Sequence, residues 1–494
     1  MARKNNVSWL EQAGRKLVQT GFLLLFLFPL GVIVFQKASL QPAPAFVSWL
    51  LPWDPAVLTG QVLSRQFTAI VIGAPLLLLA LSFVFGRFFC GWVCPLGTLM
   101  DLVRPLAFWQ KRKSLRKAGG LFPPQRNSKL RYYLLAGVLG ASLISLKYLG
   151  LFDPLVIFQR ASTALALNAF WTQQPGFRAT IGVVSLVFIA ILALELWQPR
   201  FWCRNLCPVG TLISLVSRFS LLKRRVAASL CSHCDQCRRE CPTNAIPEDA
   251  LQTDYAACTF CLECTRACPK DGISFGFGAT AAPSQPVMQL PPARPIAAAT
   301  TPASQGLNRR EFLGVLAAGA AGVALTPLVE LTPHKALLRP PGALPPGEFE
   351  RTCILCQECI RVCPTGALRP AFLEGGLASL GTPVLVPRQG GCSLNPSCPH
   401  LCGSVCPVGA IQPTSKQEMQ IGVAVVLREA CLAWDQGAKC LVCVEACLNE
   451  AAIAYHGRIT VDPTRCTGCG RCESGCPVPG SAIRVVPLEK TPYA

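Results

Sequence analysis

Histidine is scarce in this chain. There are 4 in 494 residues, His233, His334, His400 and His456, and none lies in a long apolar run. Haem groups held by histidine pairs inside a bilayer are therefore excluded. Acidic side chains are also few, 26 Asp and Glu against 46 Lys and Arg, for a net charge of +20. No nucleic-acid-binding motif accompanies that charge. It fits a membrane protein with its basic loops on the inner side. Flavin, nicotinamide and molybdenum motifs are missing too, which places any terminal catalysis in a partner.

Apolar residues and cysteine are abundant. The chain is 51 % hydrophobic and holds 28 cysteines. Disulfide scaffolds are short secreted chains, whereas these cysteines cluster at C-x-x-C spacings, which points to metal. Four runs are long enough to cross a bilayer, 17–36, 67–86, 132–150 and 179–197, since a crossing takes about 20 residues. Lys and Arg number four in 1–16 and ten in 87–131, but two in 37–66 and two in 151–178. The first two of these segments are therefore expected to face the cytoplasm.

A motif is duplicated across these runs. RFFCGWVCPLGTLMDLV, from Arg87, returns as RFWCRNLCPVGTLISLV, from Arg200. Cys203 and Cys207 repeat Cys90 and Cys94 at a constant offset of 113 residues. Each half also carries an aromatic-Asp-Pro in its outer loop, at Asp54 and Asp153. The first 220 residues read as a doubled hairpin of the kind seen in parallel membrane repeats. Two cysteine pairs on one side of such a bundle supply the four thiolates of a [4Fe–4S] cluster. The alternative is two thiol or disulfide couples without metal.

The next segment holds CSHCDQCRRECP (Cys231, Cys234, Cys237, Cys241) and CTFCLECTRACP (Cys258, Cys261, Cys264, Cys268). In this ferredoxin pattern the fourth cysteine serves the other cluster. Cys231, Cys234 and Cys237 are thus grouped with Cys268, and Cys258, Cys261 and Cys264 with Cys241; zinc is the alternative. An Ala/Pro/Thr-rich stretch over 277–306 reads as a flexible linker. Arg309-Arg310 and the apolar run after it resemble a twin-arginine export signal, or a plain fifth span; without a convincing cleavage site it is expected to stay as an anchor. Four further sets follow: Cys353/356/359/363, Cys392/398/402/406, Cys431/440/443/447 and Cys466/469/472/476. Six sets and two pairs use every cysteine in the chain.

Residues 1–275 resemble the NapH type of membrane polyferredoxin, through the paired C-x-x-x-C-P motifs that it shares with NosR-like and oxidase-accessory proteins. Residues 307–494 resemble its partner, the NapG type of four-cluster ferredoxin, through RPPGALPPGEF, GTPVLVPRQ, GVAVVLREACLAWDQGAKC and CTGCGRCESGC. The chain thus reads as a fusion of two subunits. The resemblance implies a membrane helical bundle, four spans plus an anchor, with α+β ferredoxin-like domains on both sides. The expected divisions are a membrane domain over 1–220, a cytoplasmic two-cluster domain over 221–276, the linker, an anchor over 307–332 and a periplasmic four-cluster domain over 333–494. The location implied is the bacterial inner membrane, with the N-terminus cytoplasmic.

The resemblance also pairs the first outer motif with the fourth and the second with the third. Cys353, Cys356 and Cys359 then go with Cys476, and Cys466, Cys469 and Cys472 with Cys363. Cys392, Cys398 and Cys402 go with Cys447, and Cys431, Cys440 and Cys443 with Cys406. Leu448 stands after Cys447, where the family has proline.

The function implied is quinol oxidation, with electrons leaving through periplasmic clusters to a reductase of the nitrate-reductase kind. Partners are the quinone pool, that reductase or a cytochrome, and other membrane subunits. Asp54 and Asp153 are candidate proton acceptors for quinol, although Asp-Pro also begins a helix well. Six clusters are expected and a seventh at Cys90/Cys94/Cys203/Cys207. The alternatives are an assembly factor that reduces a partner's metal, and outward transfer from a cytoplasmic donor. Lys147 is expected at the membrane interface. Arg87 and Arg200 either offset cluster charge or anchor the spans.

Overall fold

The apolar runs fold as helices, with one exception. The computed structural model describes residues 6–38, 54–64, 73–115, 129–170, 175–278, 308–330, 336–393, 398–415 and 417–488. The first run lies within the helix Asn6–Ala38, the second contributes Gly73–Phe85, and the fourth lies in Pro175–Trp197. The expected third span, 132–150, is not one helix. Leu130–Ser142 ends in a turn, and a short helix, Lys147–Phe152, follows. At the break the Leu146 N–H donates to the Arg351 carbonyl at 2.6 Å. A bond to a residue distant in sequence has replaced a helical one, and hydropathy cannot register that. Lys147 is not at a wet interface either. It is buried, with its Nζ 5.2 Å from the centre of the Tyr148 ring.

Among the described residues one helical segment, Glu11–Val32, is long and apolar enough to cross a membrane. Gly73–Phe85, Gly182–Trp197 and Pro208–Ser217 are shorter apolar helices. The linker lies almost wholly outside the described residues.

The chain divides into two compact units. The first comprises Met1–Phe22, Leu76–Gly140 and Leu192–Gly322. Within it the helix Arg309–Glu330 meets Leu130–Ser142 along small residues. A β-carbon added at Gly140 would lie 2.1 Å from the Gly319 carbonyl oxygen, and one at Gly314 would lie 2.8 Å from the Tyr133 ring. Such small residues let the two helix backbones approach closely. Lys129 pairs with Glu311 at the start of the same helix. A small α+β module is also present. Its strands Leu222–Val226 and Ile273–Phe277 pair antiparallel and carry two short helices, Gln236–Arg239 and Glu263–Ala267, packed on each other.

The second unit comprises Leu23–Pro75, Ala141–Ile191 and Val323–Ala494. It holds two more modules of this kind. In one, Leu368–Pro370 pairs with Pro383–Leu385, and the helix Glu358–Val362 packs on Leu401–Ser404. In the other, Val423–Val426 pairs with Ile483–Val486, Ala452–Tyr455 pairs with Arg458–Val461, and Val442–Glu445 packs on Arg471–Gly475. Cysteines form part of the cores: Cys237 and Cys264 pack with Ile246 and Ile273, and Cys431 with Ala433 and Ile459.

Candidate metal centres

The backbone around each cysteine run is bent by left-handed residues. In C-x-x-C-x-x-C the residue before the second cysteine and the residue after it take positive φ. His233 and Asp235 do so in the first set, Phe260 and Leu262 in the second, Leu355 and Gln357 in the third, and Gly468 and Gly470 in the last. Most are not glycine, and such conformations are held only where surroundings dictate them. The result is a concave loop whose N–H groups line its inner side, the form of an anion-binding nest.

A second turn follows five of the six fourth cysteines, and after Cys476 the positive φ falls on Gly480 and Ser481 instead. Asn244, Asp271, Gly366, Gly409 and Glu450 each sit three residues on, at positive φ. The turn aims a backbone N–H at sulfur. Ala245 donates to Cys241 Sγ at 3.3 Å, Gly272 to Cys268 at 3.4 Å, Ile411 to Cys406 at 3.4 Å, Ala451 to Cys447 at 3.2 Å and Ala482 to Cys476 at 3.4 Å. At Cys447 the turn forms with Leu448 in place of proline.

The cysteines assemble in fours. Cys231, Cys234, Cys237 and Cys268 line one cavity. Cys241 lies close enough to Cys258, Cys261 and Cys264 to interact with each. These are the groupings expected from the spacing.

The groupings of the four C-terminal sets differ from those the resemblance implied. Cys406, and not Cys476, stands with Cys353, Cys356 and Cys359. Cys363, and not Cys447, lines a cavity with Cys392, Cys398 and Cys402. Cys476, and not Cys406, joins Cys431, Cys440 and Cys443. Cys447, and not Cys363, joins Cys466, Cys469 and Cys472. Exchange thus runs between neighbouring motifs, first with second and third with fourth. The physical reason is helix packing: each exchanged pair follows two short helices that pack on each other.

The two C-x-x-x-C-P pairs also meet. Cys90, Cys94, Cys203 and Cys207 lie within electrostatic reach of one another. Gly210 N–H donates to Cys207 Sγ at 3.1 Å. The repeat's arginines cross over. Arg200 Nη1 donates to the Cys90 carbonyl at 2.8 Å, and Arg87 Nη2 to the Cys203 carbonyl at 3.3 Å. Each half of the duplication thus ties down the other half's first cysteine. Arg87 and Arg200 are 2 % and 0 % exposed, so neither anchors a span at a wet surface. Asp101 accepts from Arg200 at 2.7 Å and also pairs with Arg15. Burial works against its charge, yet the two guanidiniums hold its carboxyl below the usual range.

Asp101 therefore stays ionised, and losing a partner is costly. Arg200→Ala is expected to lower stability by about 3 kcal/mol, the low end for a broken buried pair because Arg15 remains. Thermal unfolding of the detergent-solubilised chain checks this. A loss no larger than that of Arg266→Ala, at a 58 % exposed side chain, would remove the claim.

The four-cysteine set at Cys258 adjoins these pairs. Arg15 donates to the Gly91 carbonyl at 3.2 Å and to the Cys261 carbonyl at 2.9 Å, and Trp92 Nε1 donates to the Phe260 carbonyl at 3.0 Å. A β-carbon at Gly91 would lie 2.1 Å from the Thr259 oxygen. That contact explains why the first copy reads CGWVC where the second reads CRNLC.

The donor sets fit iron–sulfur cubes. Burial pushes the Cys264 and Cys353 thiols up to about 12. Thiolates there need a metal to hold them, and coordination deprotonates a thiol outright. Among the described residues no three His, Cys, Asp or Glu side chains converge on a single-ion site.

Asp54 and Asp153 are both fully buried. Asp153 Oδ1 caps the helix Pro154–Phe170, accepting from Leu155 N at 2.8 Å and Val156 N at 3.1 Å. Its carboxyl lies beside that of Asp54, close enough for the two to interact. Of the two roles the sequence offers Asp153, cap and proton acceptor, the cap is the one seen in the geometry. Sequence reading missed Gln159 and Glu358, whose side chains bond at 2.6 Å beside Cys359. No motif marks either of them.

Sets of four cysteines on loops bent by left-handed residues, within small α+β modules, define a ferredoxin-type iron–sulfur protein. Three families described as 4Fe-4S binding domains match the chain. One matches 67–115, 179–227 and 402–416, so it covers both copies of the repeat; the others match 458–483 and 349–369. The methylamine utilization ferredoxin-type protein MauM of Methylorubrum extorquens is 41 % identical over 203 residues, 37 % of this chain and 90 % of that protein. The ferredoxin-type protein NapG of Escherichia coli is 38 % identical over 204 residues, 37 % of this chain and 86 % of that protein. NapG of Haemophilus influenzae is 34 % identical over 208 residues, 37 % of this chain and 72 % of that protein. The chain belongs to this MauM/NapG family of ferredoxin-type electron-transfer proteins. No solved structure matches it.

Proposed function

We propose that this chain is a membrane-bound quinol dehydrogenase component, a fusion of a NapH-like membrane part with a NapG-like part. It oxidises quinol and passes electrons through outer clusters to a soluble periplasmic partner. All 28 cysteines are ligands in this reading, in seven cubes. Four spans and the Arg309–Glu330 anchor hold the chain in the inner membrane, with the N-terminus cytoplasmic. The small-residue seam along that anchor supports its retention.

The observation that carries the reading is the position of the Cys353 set. Its loop is bonded to the outer hairpin through Leu146 and Gln159, the same hairpin that carries the buried Asp54–Asp153 pair. In this reading one of these two adjacent buried carboxyls is the base for a quinol hydroxyl. Electrons then enter the outer clusters without first crossing the membrane. NapG-like kinship favours a reductase of the nitrate-reductase kind as partner, and MauM-like kinship an electron route of methylamine use.

The test is anaerobic mixing of the oxidised protein with a menaquinol analogue, followed by visible bleaching and EPR. Reduction that a quinone-site inhibitor blocks is the expected result. Reduction by dithionite alone would overturn it. Asp54→Asn keeps the side chain's shape but removes the base, and it is expected to lower quinol turnover by an order of magnitude with the fold intact. Unchanged turnover would return Asp54 to a purely structural role.

A further inference from the structure

We propose that the four outer sets form one linear conductor, in the order Cys353, Cys392, Cys466, Cys431 (each set named by its first cysteine). The two modules join where the Cys392 N–H donates to the Cys469 carbonyl at 2.6 Å. The assignment of a donor at the first end rests on the quinol reading; the order does not.

Neighbours along the row are in electrostatic reach. Cys359 interacts with Cys402, linking the first two sets. Cys392 interacts with Cys469 across the seam. Cys472 interacts with Cys443, linking the last two. The seam is built for close approach. Cys392 follows Gly390 and Gly391, and Cys469 stands between Gly468 and Gly470. A β-carbon at Gly391 would lie 3.1 Å from the Arg471 backbone nitrogen, and one at Gly470 would lie 2.5 Å from Pro387 Cβ. Gly391 and Gly470 also take positive φ, which disfavours any side chain. Arg388 closes the joint from outside. Its guanidinium donates to the carbonyls of Glu473 at 3.1 Å, Cys476 at 2.8 Å and Val478 at 3.1 Å.

The ends differ. Cys353, Cys356 and Cys359 are all buried, and a β-carbon at Gly150 would lie 2.0 Å from the Ile354 oxygen. That end faces the outer hairpin and takes the donor. At the other end Leu441 and Val442, beside Cys440 and Cys443, are 42 % and 37 % exposed. That end meets a soluble one-electron acceptor. With cubes held by these four sets, each hop would oxidise one cube by one electron and reduce the next by one, with no bond or proton changed.

Pulsed EPR on the dithionite-reduced full chain tests the order without quinol. Spin–spin coupling between the Cys392 and Cys466 clusters is the expected result. Gly470→Val keeps every cysteine and widens the seam. Iron content is expected to hold, the coupling to weaken, and reduction of the Cys431 cluster to slow by an order of magnitude. Cys398→Ala breaks the second set and is expected to leave the Cys353 cluster reducible by a quinol analogue while the last two stay oxidised. Wild-type speed at the Cys431 cluster in that variant, or no coupling across the seam in the wild type, would make the modules separate branches. If Gly470→Val does not fold, the wild-type coupling still decides. Coupling with no quinol reduction in any form would sink the quinol reading and leave the order standing.

Discussion

Replacing Cys94 and Cys207 together by serine is expected to lower iron from about 28 to about 24 atoms per chain, one [4Fe–4S] cube for every four cysteines. The reason lies in the crossed arginines. Arg87 and Arg200 fix the Cys90 and Cys203 backbones by bonds that do not involve sulfur. The scaffold therefore survives the substitution while half the ligands vanish. The other six sets share no cysteine with this one, so their EPR signals should persist. The competing account has two thiol couples at this site. It predicts about 24 iron atoms in the wild type already, no change on substitution, and thiols that titrate with an alkylating reagent. Iron per chain and Mössbauer area, measured on both proteins, separate the two.

The position of this site next to the Cys258 set gives the measurement a functional edge. Arg15 and Trp92 bind the carbonyls of Cys261 and Phe260 directly. A cube at Cys90/Cys94/Cys203/Cys207 thus extends the Cys231 and Cys258 sets into a three-member row inside the first unit.

Much of this was legible in the sequence, and particular residues show where it stopped. The C-x2-C-x2-C-x3-C-P spacing in 231–268 is enough to exchange Cys241 and Cys268, because two motifs leave one partner each. Four motifs leave three partners each, and spacing says nothing of which helices pack. The choice of Cys406 for the Cys353 set is made by Glu358–Val362 lying on Leu401–Ser404, a tertiary fact. The left-handed residues were hidden for a related reason. His233, Phe260, Leu355 and Gln357 are not turn formers, and only closure of the loop around the thiols forces them there. The break at 143–146 has an apolar sequence and is set by Arg351, some two hundred residues on. Asp-Pro at 153 reads as a cap or an acid, and the structure shows the cap, through Oδ1.

Stripping iron from the protein is expected to unfold 222–277 and 336–488 while the long helix Asn6–Ala38 persists. The short helices in these modules run four or five residues, far below the roughly 12 that stand alone in water. Their sheets have two strands each, and such pairs are marginal without a core. The cores are small, and ligand cysteines form part of them: Cys237 and Cys264 in one, Cys431 in the other. Against them stand the non-glycine residues at positive φ, each costing on the order of 1–3 kcal/mol. Metal–thiolate bonds are what offset those terms, so ligand binding and folding become one event. Hydrogen exchange on chelator-treated, oxidised protein reads this directly. Amides of Val423–Val426 and Ile483–Val486, paired in the intact module, should exchange as in an open chain. Protection retained there without iron would mean that the strands and apolar side chains suffice, and that the cubes are passengers in a fold that stands by itself.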